Sequence, residues 1–66
     1  MLMYEVFLGR EFKICVDTLV EGLTVATGCF SNGYEADVVN ISTGEIMASF
    51  RDSEPPYFSS SIREII

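Results

Sequence analysis

Two turn signals bracket one short strand-like run in "CFSNGYEADVVNISTGEIMASF", residues 29 to 50, and they leave it few ways to fold. Asn32-Gly33 suits a two-residue type I′ hairpin, whose central residues both need positive φ. That turn predicts Phe30 opposite Glu35, Cys29 opposite Ala36, Thr27 opposite Val38 and Val25 opposite Asn40. Ser42-Thr43-Gly44 suits a three-residue loop with Gly44 left-handed. It predicts Ile41 opposite Glu45, Asn40 opposite Ile46, Val38 opposite Ala48 and Ala36 opposite Phe50. The two registers are set independently, yet they agree. Leu23, Val25, Thr27, Cys29, Tyr34, Ala36, Val38, Ile46, Ala48 and Phe50 all fall on one face, the expected core. A one-residue slip at either turn would move a whole strand to the wrong face.

The opposite face of this three-stranded meander, residues 23–51, is mixed. Phe30, Glu35 and Arg51 line up at one end, with Glu35 and Arg51 placed for a cross-strand ion pair. Asp37 and Ser49 come next, then Ala26, Val39 and Met47, then Thr24, Ile41 and Glu45. A face that is half acidic and half apolar is a candidate protein-binding surface. Its expected residues are Phe30, Glu35, Asp37, Val39, Ile41 and Met47. The C-terminal segment, a symmetry mate or a foreign partner could each cover it.

The start of the chain, residues 1–16, alternates in the same way. Leu2, Tyr4, Val6 and Leu8, then Phe12, Ile14 and Val16, share a face if Gly9-Arg10-Glu11 forms a three-residue loop. A two-residue turn would place Glu5 beside Ile14 on the apolar side, which is costly. Residues 17–27 admit two readings. One is a loop leading into a strand. The other is a helix capped by Asp17, with Leu19, Val20, Leu23 and Ala26 on one stripe and an end at Gly28. Gly22, Thr24, Val25 and Thr27 are weak helix formers and favour the strand. Pro55-Pro56 ends the last strand. Within 52–66, Ser61 and Glu64 have capping-box spacing for a short C-terminal helix carrying Ile62, Ile65 and Ile66.

The expectation is one domain, 1–66, mainly β, or small α+β if 17–27 is helical. It is a five-stranded antiparallel meander of two hairpin units with a short C-terminal helix. The stretch "GYEADVVNISTGEIMASFRD" resembles the central strands of Tudor and other SH3-like small barrels, where A-x-V, a turn glycine and F-x-D recur. The resemblance spans under a third of the chain and implies a small closed barrel. The chain has no Trp, no aromatic cage is identifiable, and no function is carried over.

Charge and chemistry narrow the function classes. Ten Asp and Glu oppose four Lys and Arg, for a net −6 with no His. Such a domain repels phosphate, so direct nucleic-acid binding is not expected. The longest uncharged run, Gly22 to Tyr34, is thirteen residues and too polar to span a membrane. The opening residues lack a basic n-region and reach Glu5 at once, which argues against a signal peptide. Cys15 and Cys29 follow no metal-binding spacing and are expected as reduced, buried thiols in a cytoplasmic protein. Neither has a His to activate it. Glu35 and Asp37 could do acid–base work only if burial split their pKa values. No enzyme, metal or cofactor is expected. What remains is a small acidic regulator or inhibitor that binds a protein, basic for preference. Small acidic proteins encoded by mobile elements or phage to block nucleic-acid-binding machinery have this profile. The alternative is a structural module that forms homodimers and has no separate ligand.

Overall fold

The computed structural model describes residues 3–62. Its elements are β1 (Tyr4–Leu8), β2 (Phe12–Val16), α1 (Leu19–Ser31), β3 (Ala36–Asn40), β4 (Ile46–Phe50) and β5 (Tyr57–Phe58). They form a small α+β fold. Five strands in the order β2-β1-β3-β4-β5, each antiparallel to its neighbour, make one open sheet. The barrel implied by the resemblance is not formed, because β2 and β5 remain free edges.

The first hairpin has the expected register. Leu8 faces Phe12, Val6 faces Ile14 and Tyr4 faces Val16. The loop turns at Gly9, with φ +63. A one-residue shorter loop would have reversed β2, placing Lys13 and Cys15 on the core side and Ile14 beside Glu5.

The largest departure is at Asn32-Gly33, which ends a helix instead of turning a hairpin. The expected strand over 23–31 is the second half of α1. Asn32 has φ −96 and caps the helix; a type I′ turn would need it positive. Gly33, at φ +93, donates its N–H to the Phe30 carbonyl, and Tyr34 donates to Cys29. These two bonds are the Schellman ending, which also needs a glycine of positive φ. At the other end Thr18, not Asp17, is the cap. Its Oγ1 accepts the Glu21 N–H at 3.1 Å, the N-cap half of a capping box, and donates to Glu21 Oε1 at 3.3 Å.

The helix persists despite poor propensity because one stripe of it is buried. Leu19, Gly22 and Ala26 are buried, and Leu23, Val25, Cys29 and Phe30 pack against the core at its flanks. Thr24 and Thr27 turn outward and bond back to the carbonyls of Val20 and Leu23 at 2.8 Å each. Gly22 sets the approach. A Cβ there would lie 3.2 Å from Val38 Cγ1, 3.5 Å from Val16 Cγ2 and 3.7 Å from Val6 Cγ2. Position 22 thus sits over three strands at once. Phe30 extends the core under α1 toward the β4–β5 end of the sheet, with its ring 5.7 Å from Phe50, which in turn meets Phe58 edge-on at 5.7 Å.

The β3–β4 pair keeps the expected partners at Ala36–Phe50 and Val38–Ala48, then slips. Val39 faces Ile46 where a regular ladder would have put Asn40 there. Met47 is the extra residue of a β-bulge, so two successive side chains of β4 point the same way. Met47 and Ala48 are both buried, and Ile46 is 49% exposed. The sequence expectation had Ile46 inside and Met47 outside. The turn keeps its left-handed Gly44, with φ +75, and Asn40 Oδ1 accepts from Ser42 N–H at 2.8 Å. It is one residue longer than expected: the Asn40 N–H bonds the Glu45 carbonyl at 2.9 Å, where Ile41 had been expected opposite Glu45.

Beyond β5, the Ser59 N–H bonds the Met47 carbonyl and Ile62 enters the core cluster. Ile62 therefore does not cover the mixed face. The helix among the described residues is the central one. Leu2 and most of the expected C-terminal helix, with Glu64, Ile65 and Ile66, lie outside the described residues.

Glycines 22 and 28 make opposite predictions. A Cβ at Gly28 meets nothing within 4 Å, so Gly28→Ala should raise stability by about 0.5–1 kcal/mol through helix propensity. Gly22→Leu should lower it by at least about 1–3 kcal/mol, because the side chain has no room over Val38. Urea denaturation of both variants checks this pair.

Candidate interaction face

Helix α1 covers one side of the sheet, and no second layer lies on the other among the described residues. The strand registers fix what lies there. One row across the sheet is Lys13, Phe7, Asp37, Ser49 and Tyr57; the next is Cys15, Glu5, Val39 and Ile46. Met3 and Ile41 continue it, joined by the Ile41 N–H to Met3 carbonyl bond of 2.9 Å. Phe7, Ile41, Ile46, Met3 and Tyr57 are all exposed, and Val39 is half-buried among them.

The charged groups on this face are tied to one another. Arg51 reaches Asp37 at 2.5 Å and Glu35 at 3.3 Å. Ser49 Oγ donates to the other Asp37 oxygen at 2.7 Å, and the Asp52 N–H donates to Glu35 at 3.3 Å. The expected Glu35–Arg51 pair is therefore present, with Asp37 added to it. Both carboxylates are held as hydrogen-bond acceptors, an arrangement that fixes the rim of the face. On the β2 side Lys13 pairs with Glu5 at 3.1 Å. The Glu5 hydrogen bond and charge hold the Lys13 ammonium protonated above the ordinary lysine range. Its contribution to the fold is present below pH 10.5 and fades as pH rises through the raised value.

Of the expected binding residues, Glu35, Asp37, Val39 and Ile41 lie on this open face. Phe30 and Met47 do not. Phe30 projects from α1 onto Phe50, because residues 23–31 are helical. The bulge turns Met47 into the core, where it is 1% exposed. Ala26, expected on the same strip, is fully buried under α1. In their place stand Phe7, Ile46, Tyr57 and Met3. Phe7 was legible, since it alternates with the core residues of β1. Ile46 was not, because the bulge left no clear sequence signal.

Other chemistry is sparse. Cys15 is an exposed free thiol on this face, contrary to the expected burial, because β2 is an edge strand; Cys29 is free and half-buried on α1. Among the described residues no three His, Cys, Asp or Glu side chains gather to hold a metal ion. No helix among them is long and apolar enough to cross a membrane. A hollow of about 170 Å³ lies between the first hairpin loop and Tyr34, lined by Leu8, Gly9, Arg10, Glu11, Phe12 and Tyr34. That is small beside the ~300–1,000 Å³ of ordinary ligand sites. No protein-family model, curated protein or solved structure matches the chain.

The bulge separates two adjacent residues sharply. Met47→Ala should cost about 2–5 kcal/mol, as for other buried large-to-small changes. Ile46→Ala should stay within about 0.5–1 kcal/mol, close to a surface substitution. Chemical denaturation of the two variants reads the difference, and equal costs would remove the bulge from the account.

Proposed function

We propose that this protein is a small acidic, non-enzymatic module that acts by binding a basic protein through the open face of its sheet. The observation that carries the reading is the uncovered apolar band of Phe7, Val39, Ile46 and Ile41 in an otherwise well-packed two-layer fold. Apolar area left wet forfeits ~25 cal/mol per Å² that burial would recover, and exposed apolar patches with polar rims mark interaction sites. The acidic rim of Glu35 and Asp37, on a chain of net charge −6, selects the sign of the partner and speeds its approach.

The role that fits is regulatory or inhibitory, by occupying a surface that its partner uses for something else. A basic groove that normally takes nucleic acid is such a surface, as in the phage and mobile-element inhibitors of this general profile. The two free thiols suit a reducing compartment, the cytoplasm. A purely structural homo-oligomer is the second reading, favoured by the exposed edge of β2.

The test is retention of a partner on the immobilised chain, compared among variants. Wild type should hold a stoichiometric basic partner at low salt and release it as salt is raised. Val39→Asp should lose that partner without unfolding, whereas Val20→Asp, an exposed position on α1, should keep it. Equal retention by Val39→Asp and wild type would remove the open face from the proposal.

A further inference from the structure

The two edges of the sheet are not alike. β5 is two residues long and follows Pro55-Pro56, so it offers little ladder to another chain. β2 is five residues long and pairs with β1 without a bulge. Short strands, prolines and bulges are the usual guards against edge pairing, and β2 carries none of them. Its one charge, Lys13, is partly offset by Glu5 at 3.1 Å and stays 54% exposed, so it can still meet an acid on a neighbouring strand.

The hydrogen-bond parity says which groups β2 presents. Gly9 N–H donates to the Glu35 carbonyl, and on the other side of β3 the even-numbered Asn40 donates its N–H to Glu45, so odd-numbered residues of β1 and β3 bond to each other. Even-numbered residues of β1 then bond to β2, through Phe12, Ile14 and Val16. Lys13 and Cys15 turn their N–H and C=O outward. On the helix side of the same strand Phe12 is 63% and Ile14 42% exposed, because α1 lies over the neighbouring strands.

We propose that β2 pairs antiparallel with β2 of a second copy of this chain, joining two sheets into one of ten strands. Charge selects the register among the possible two-fold arrangements. Centring on Lys13 sets Lys13 against its own copy. Centring on Ile14 sets Glu11 against Asp17, acid to acid. Centring on Cys15 sets Lys13 opposite Asp17 twice and brings Ile14 against Val16. It also pairs the outward N–H and C=O of Cys15 with those of the second Cys15. The two-fold axis runs through this pair, perpendicular to the sheet. Both helices then lie on one side, and the two open faces become continuous on the other. The proposal stands apart from the partner reading of that face, since Val39 and Ile46 take no part in it.

Cys15 reports the register. Hydrogen-bonded antiparallel partners have Cα atoms about 5.5 Å apart, within the ~4.4–6.8 Å that a disulfide spans. Light scattering should give twice the 7.4 kDa chain mass. Copper-phenanthroline should convert wild type and Cys29→Ser to a covalent dimer, and Cys15→Ser should not convert. Cys15→Pro should run at the monomer mass with its far-UV circular dichroism unchanged, since an edge strand tolerates proline where its N–H faces outward. A wild-type chain that stays at 7.4 kDa as its concentration is raised to the limit of solubility, a dimer that Cys15→Pro leaves intact, or oxidation through Cys29 alone would each overturn the proposal.

Discussion

The structure depends on the absence of a side chain at position 22. Three strands meet under that point, with Val6, Val16 and Val38 each within 4 Å of where a Cβ would sit. A Cβ at this point would press on Val38 Cγ1 at 3.2 Å and touch the other two valines, so glycine gives the backbone of α1 its closest fit onto that junction, and any larger side chain would have to push it away. Seated there, the helix acts as the crossover that brings β3 beside β1, and β1 is paired on both sides, by β2 and β3. The remaining core follows from that contact. Leu19 and Ala26 extend it along the helix, and Phe30 carries it across to Phe50 and Phe58. A glycine that weakens the helix as an isolated segment is what allows it to pack.

That trade explains which parts of the fold were legible in the sequence. The first hairpin was, because period-2 alternation and loop length agree on one register. Most of the β3–β4 pair was too, because Asn40 and Gly44 specify their turn through local hydrogen bonds. Asn32-Gly33 misled because a type I′ hairpin and a helix ending both ask for glycine at positive φ. The agreement between the two turns was not decisive. Thr27 and Cys29 fit a strand face, but Leu19, Gly22, Ala26 and Phe30 fit a helix stripe equally well. The signal that could have decided is Thr18-x-x-Glu21, a capping box one residue beyond the rejected Asp17 cap. Low propensity at Gly22, Thr24 and Thr27 weighed against the helix, and tertiary burial overrode it.

The candidate site was legible in the same proportion. Glu35, Asp37, Val39 and Ile41 alternate with the buried Ala36 and Val38, so they stand on the open face even though the strand pairs with β1 in place of residues 23–31 and its register with β4 slips at Val39. Phe30 failed with the helix, and Met47 failed with the bulge, which exchanges its burial with that of Ile46. The character of the face nevertheless survived these exchanges. Phe7, Ile46 and Tyr57 replaced Phe30 and Met47, and the Glu35–Asp37–Arg51 cluster kept its place at the rim. Among the described residues, one helix on a five-stranded sheet leaves one face without a layer whichever hydrophobic residues stand on it. The functional proposal rests on that consequence of the architecture.

The most direct test of the account is the pairing of β3. Nuclear Overhauser effects in the folded chain should show a strong Hα–Hα contact between Val6 and Val38, the partners across β1 and β3. Continuous amide–amide contacts should run through Leu19–Ser31, the span of α1. An Hα–Hα contact between Phe30 and Glu35, with extended chemical shifts over 23–31, would mean that Asn32-Gly33 turns a hairpin. That result would remove the helix, the β1–β3 junction and the open face together.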